Sequence, residues 1–138
     1  MVEVPSAALM ADRLAEEVDF FSIGTNDLSQ SVMAADRTHA AVAPLADALH
    51  PAVLRLGRDV IVVAHACGKW VSLCGELAGD PAAIPILLGL GPDEFSMSPT
   101  AIPQAKRLIR SLTREEADQI ARAALQQESA EAVRALIQ

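Results

Sequence analysis

The stretch "FFSIGTNDL", Phe20–Leu28, decides the fold. Phe20, Phe21 and Ile23 suit a pleated, buried surface. They run straight into Gly24-Thr25-Asn26-Asp27, a glycine followed by three polar side chains. A strand apolar on both faces belongs to a parallel sheet covered by helices. The polar groups that follow it then fall at the carboxyl end of the strand.

Working outward, the same alternation repeats. "MVEV" reads as a strand ended by Pro5, and Ser6 as the cap of a helix over residues 7–17. "VDFFSIG" is the second strand, "DLSQSVMAA" a short helix, and a polar loop runs to about His50. Pro51 suits the first turn of a long helix reaching Cys67, with Gly68 as its stop. "KWVSLCGE" is the third strand. "DPAAIPILLGL" is a helix with Asp80 as cap and Pro81 at its first position, and "DEFSMS" is the fourth strand. Helices follow over residues 99–112, over 113–126 with Thr113 as cap, and over 129–138. Four βα units predict an α/β fold whose strand-end groups gather at the carboxyl edge, where (β/α)-barrel active sites are built.

Composition narrows the function classes. The chain has 138 residues, 51% of them hydrophobic, which is material for one domain with a full core. A net charge of −7 and the absence of a basic stripe argue against a nucleic-acid surface. No apolar run reaches the roughly 18 residues of a membrane span, and "MVEVPSAALM" lacks the basic start of a secretory signal. Cys67 and Cys74 form no CxxC and read as reduced thiols of a cytoplasmic protein.

The strand ends carry the chemistry. Glu3 and Asp27 lie at the ends of adjacent strands, and such a pair can share Mg²⁺, which completes its shell with water and substrate oxygens. The same spacing also fits a terminal Glu3 and a helix-capping Asp27. The turn Gly24–Asp27 opens a helix, whose N–H groups attract phosphate, and Asn26 adds two donors. An ordinary βα turn has the same pattern. Arg37 stands two to three helical turns on and can grip phosphate, or remain a solvated surface residue. Cys74, between Leu73 and Gly75, is either an inert small hydrophobe or a thiol that moves a proton. Cys67 reads as packing only. His39, His50 and His65 lack metal-ligand spacing. His50 is placed to orient its loop, and His65 to hydrogen-bond within the fold. Phe95 and Met97 read as core, and Glu76, Ser96 and Ser98 carry no assigned role.

Taken in order, "MVEVPSAALMAD", "VDFFSIGTNDLSQ", "MAADR", "HPAVLRL", "GKWVSLCGELAGDPAAIPILLGLG" and "DEFSMSP" closely resemble the Enzyme I family of the bacterial phosphotransferase system, the phosphoenolpyruvate (PEP)–protein phosphotransferases. Pyruvate phosphate dikinases and PEP synthases share the "GTNDL" type of motif but differ after the cysteine. The resemblance implies a (β/α)8 PEP-binding barrel, of which this chain is similar to the C-terminal half, about strands five to eight. Residues 1–112 would form that half-barrel and 113–138 a helical extension of the same domain. The resemblance implies that Glu3 and Asp27 hold Mg²⁺, and that Asp27, Asn26 and Arg37 bind PEP. It makes Cys74 the donor of the proton that converts enolpyruvate to pyruvate. The implied phosphoacceptor is a histidine, with transfer onward to the phosphocarrier HPr in sugar uptake. That histidine, the HPr-docking domain and two further PEP-binding arginines have no counterpart here. The isolated chain is therefore expected to be inactive, and a non-catalytic half-barrel, an assembly or regulatory module, is the competing reading. Open strand edges and an apolar inner face, with members of "FFSI" and "WVSL", predict a homo-oligomer, unless the C-terminal helices fold back over that face.

Overall fold

The computed structural model describes residues 1–137. β1 (Phe20–Gly24), β2 (Trp70–Cys74) and β3 (Glu94–Ser96) form a parallel sheet in the order β1-β2-β3. The register places Phe20 opposite Trp70, Ser22 opposite Ser72 and Glu94, and Gly24 opposite Cys74 and Ser96. All three strands thus end level at one edge.

The expected first strand shrinks to a bridge between Val2 and Ile23. Val2 donates to the Ser22 carbonyl at 2.7 Å and accepts from the Gly24 N–H at 3.0 Å. Pro5 ends it early by entering the first turn of α1 (Pro5–Leu9), which Val4 precedes as N-cap with no side-chain bond. Ser6 therefore lies inside the helix and caps nothing. The single helix expected over residues 7–17 is also broken: Met10 (φ −106°, ψ 20°) separates α1 from α2 (Ala11–Leu14).

α3 (Thr25–Met33) starts directly from β1, so Asp27 sits in its first turn and is not its cap. α4 (Pro51–Ala66) opens as the sequence indicates. Pro51 lies in its first turn, and His50 Nδ1 accepts from the Ala52 N–H at 3.2 Å. Gly68 follows with φ +70°. α5 (Ile84–Leu90) begins later than expected, because Asp80 caps only a turn, accepting from the Ala82 N–H. α6 (Ile102–Ser111), α7 (Arg114–Leu125) and α8 (Ala130–Ala135) complete the chain. Thr113 caps α7 in a reciprocal box with Glu116. No helix among the described residues is long and apolar enough to cross a membrane.

The core lies on one side of the sheet. Phe21, Ile23, Val71 and Leu73 are buried there with Leu28 of α3, Val60 and Ile61 of α4, and Leu87 of α5. Phe95 packs against this cluster, while Met97 lines a cavity instead. The opposite face is unlike the apolar one expected. Alternation along the strands leaves it Phe20, Ser22, Trp70, Ser72, Cys74, Glu94 and Ser96. Phe20 and Trp70 stack with ring centroids 4.3 Å apart, and Ser72 Oγ donates to Glu94 at 2.9 Å. The C-terminal helices do not cover this face. α7 packs on α5 and also touches α4, on the helical side. Both cysteines are free, and Cys67, expected to be packed, is exposed at the end of α4.

At the other edge of the sheet, Asp93 ties β3 to its neighbours. It accepts from His65 Nε2 and from the Val71 N–H, each at 2.8 Å. The His65 hydrogen bond, then the Val71 N–H, hold the Asp93 carboxyl below its ordinary 3.8. A lowered carboxylate stabilises the fold fully above the unfolded value and loses that contribution as pH falls through the folded one. Asp93→Asn is therefore expected to flatten the acid limb of the stability curve from the ordinary carboxylate range downward. Thermal denaturation across that range checks this.

Candidate active site

Two glycines shape the carboxyl edge of the sheet. A Cβ on Gly24 would lie 2.8 Å from Cγ and 3.0 Å from Oε1 of Glu3, so this glycine leaves the space in which the Glu3 side chain rests. Gly75 has φ +109°, a conformation L side chains rarely adopt. A Cβ there would collide with Thr25 Oγ1 and stand 3.2 Å from Asn26 Oδ1.

The space beside Gly75 locks the two strand ends together. Thr25, buried, donates from Oγ1 to the Cys74 carbonyl at 2.8 Å. Asn26 Oδ1 accepts from the Glu76 N–H at 3.3 Å. With its oxygen so engaged, the Asn26 NH₂ has no partner among the described residues, and Asn26 borders both large cavities of this edge.

One cavity, about 530 Å³, is lined by Asn26, Cys74, Gly75, Glu76, Ser96 and Ser98, among others. Cys74 is half-buried. Its Sγ donates to the Ile23 carbonyl at 3.4 Å and lies 3.6 Å from Ser22 Oγ. It lies on the uncovered side of the sheet rather than in the core. The other cavity, about 650 Å³, brings Asn26 together with Arg37, Asp47, Glu76 and Arg134.

Arg37 reaches back over the start of α3. Its Nη2 lies 3.5 Å from Asp27 Oδ1, and its N–H donates to Gln30 Oε1 at 3.0 Å. Both side chains of the pair are nearly half exposed, so the pair itself adds little stability. Neighbouring Asp36 accepts from the Thr38 hydroxyl and N–H, which hold its carboxyl below the ordinary value.

Glu3, resting against Gly24, and Asp27, in the first turn of α3, each supply hard carboxylate oxygens. The Glu3 carboxylate is held by no other side chain among the described residues, and its backbone carbonyl is fixed by Ser31 Oγ at 3.2 Å. No group of three or more His, Cys, Asp or Glu side chains there is arranged as a metal cage. A two-carboxylate set suits Mg²⁺ or Mn²⁺, which leave most of their shell to water and ligand oxygens.

Of the five residues singled out in the sequence, Asn26, Cys74 and Arg37 line the two cavities, whereas Glu3 rests against Gly24 and Asp27 meets Arg37, and neither carboxylate lines a cavity. The parts not foreseen are the locking elements. Thr25 and Gly75 had a signal, a hydroxyl and a glycine at facing strand ends. Asp47 and Arg134 had none.

A family model described as "PEP-utilising enzyme, PEP-binding domain" matches residues 1–114. The chain is 55% identical over 138 residues to the phosphoenolpyruvate-protein phosphotransferase of Staphylococcus carnosus (strain TM300), covering 100% of this chain and 24% of that protein. It is 58% identical over 133 residues to the protein of that name from Geobacillus stearothermophilus, covering 96% and 23%. Against the Bacillus subtilis (strain 168) protein of that name, identity is 54% over 137 residues, covering 99% and 24%. The chain spans about a quarter of the length of these curated relatives.

Proposed function

The chain belongs to the PEP-utilising enzymes, within their PEP-binding domain, and from that premise we propose that its strand-end residues bind Mg²⁺ and PEP as one segment of a PEP–protein phosphotransferase. The observation that carries the proposal is the meeting of Asn26, Cys74 and Glu76 on one cavity, while Asn26 and Glu76 also line a second cavity with Arg37, the partner of Asp27. The parallel strands with helices on one face fit half of a (β/α)8 barrel, residues 1–112, with 113–138 as its helical extension.

Each side chain then has a task. Glu3 and Asp27 would hold Mg²⁺, which when bound offsets charge on the PEP phosphate and carboxylate. Asn26 offers its free NH₂ to a phosphoryl oxygen. Arg37 leaves Asp27 and turns its guanidinium fork to the phosphate. The phosphoryl group passes to a histidine outside this chain and then to HPr. The pair of electrons left on the enolate takes a proton from the Cys74 thiol at the methylene carbon, giving pyruvate. The uncovered face with Phe20 and Trp70 is where the rest of a barrel, or a second copy of the chain in a homo-oligomer, would pack.

Calorimetry with Mn²⁺ tests the metal assignment. The chain is expected to bind Mn²⁺ weakly, and Asp27→Ala to lose at least about tenfold in affinity, since one of two carboxylates is gone. Equal heats from both proteins would sink the assignment.

A further inference from the structure

The loop between α3 and α4 carries Arg37, and its two roots are held differently. The near root is fixed by α3, through the Arg37 N–H on Gln30 and the guanidinium on Asp27. The body is a chain of local turns: His39 N–H on Asp36, Val42 and Ala43 N–H on His39, Leu45 on Val42, Ala46 on Ala43. Most of it is exposed. The far root is Asp47, which is a junction. Its Oδ1 accepts from the Leu49 N–H at 2.9 Å, and its carbonyl accepts from the His50 N–H at 3.1 Å. Leu49 is fully buried and His50 caps α4. The remaining oxygen, Oδ2, accepts from Arg134 Nη2 of α8 at 2.7 Å. The Asp47 side chain is only 21% exposed, so this pair is better shielded than the Arg37–Asp27 pair. Beyond Arg37, it is the one side-chain hydrogen bond among the described residues that reaches the loop from another element.

We propose that Arg134 is a positioning residue for PEP binding: it clamps Asp47, fixes the far root of the loop, and so holds Arg37 over the cavity. This rests on the PEP-site reading above. Arg134 lines the same cavity as Arg37 and Asn26, and through the bond from its Nη2 to Asp47 it acts on the loop. Losing the clamp frees the loop and dilutes the conformation in which Arg37 meets the phosphate. Apparent affinity falls in proportion to that population, while the reacting groups stay unchanged.

The test uses a chimera in which this chain replaces the homologous segment of one of its phosphotransferase relatives. Arg134→Ala is expected to raise the KM for PEP about fivefold with kcat held within about twofold. Arg134→Lys, which can still reach Asp47, should recover most of the loss. Asp47→Asn keeps the acceptor for Leu49 but weakens the ion pair, and should reproduce the Arg134→Ala effect. The double variant should be no worse than either single one. Hydrogen exchange in the 138-residue chain should show faster exchange at Val42, Ala43 and Leu45 in Arg134→Ala. An unchanged KM, even with a lowered melting temperature, overturns the clamp, and so does an additive double variant. A raised KM with unaltered loop exchange would make Arg134 a direct ligand contact and also overturn it. Arg37→Ala separates the two levels. If it leaves the KM intact, the PEP reading itself fails; if it raises the KM where Arg134→Ala does not, only the clamp fails.

Discussion

Cys74→Ser, in a chimera carrying this chain, is expected to slow pyruvate formation about a hundredfold or more, the usual range for losing a general acid. The KM for PEP should stay within about threefold, because the substitution keeps a small hydrogen-bonding group of similar shape. The reason lies in the position of the thiol. Cys74 sits between Gly24 and Ser96 on the uncovered face, at the strand end, with Sγ donating to the Ile23 carbonyl. Serine can take over that hydrogen bond, so the local fold survives. A serine hydroxyl is a far poorer acid than a thiol. The measurement is lactate-dehydrogenase-coupled pyruvate release at saturating PEP. An unchanged rate would remove Cys74 from the chemistry and leave it a packing residue.

The largest effect on stability is expected at Gly89. This glycine of α5 faces α7, and a Cβ on it would overlap the Ala117 carbonyl, stand 2.6 Å from the Ala117 carbonyl carbon, and meet the Ala121 Cβ at 2.7 Å. The obstacle is backbone, which cannot turn aside as a side chain can. Gly89→Ala should therefore cost about 2 kcal/mol, the overpacking penalty less the better helix propensity of alanine. Gly57, inside α4, makes the matching control, because a Cβ there meets nothing within 4 Å. Gly57→Ala should stabilise by about 0.5–1 kcal/mol. Urea denaturation midpoints of the two variants should move in opposite directions.

These two residues mark what the sequence made legible and what it did not. The run from Phe20 to Ile23 announced a strand in a parallel sheet, and Gly24–Asp27 announced polar groups at its end, since both are local patterns. Thr113 with Glu116 announced the start of α7 for the same reason. The N-terminal "MVEV" has the composition of a strand, but only Val2 bridges to β1, and Pro5 turns the chain into a helix at once. Sheet pairing depends on neighbours, which composition does not supply. The uncovered face is more polar than "FFSI" and "WVSL" suggest when read as apolar runs, although Phe20 and Trp70 do lie on it. In register, their serines, Cys74 and Glu94 alternate onto one side. The Arg134–Asp47 contact joins residues 87 apart, and nothing local marks either of them.

The seat that Gly89 offers to Ala117 also has a consequence for the nascent chain. The ribosome delivers the three strands and α5 before it delivers α7. At about 5–20 residues per second, roughly one to six seconds pass between delivery of the last strand and of α7, and in that time the Gly89 notch has no cover. A bare apolar helix beside a parallel sheet is what chaperones bind in half-made proteins. The helix that closes the notch presents small buried alanines, Ala117, Ala121 and Ala124. A larger side chain at any of those three positions would be felt first as a longer stay with chaperones, before it was measured as lost stability.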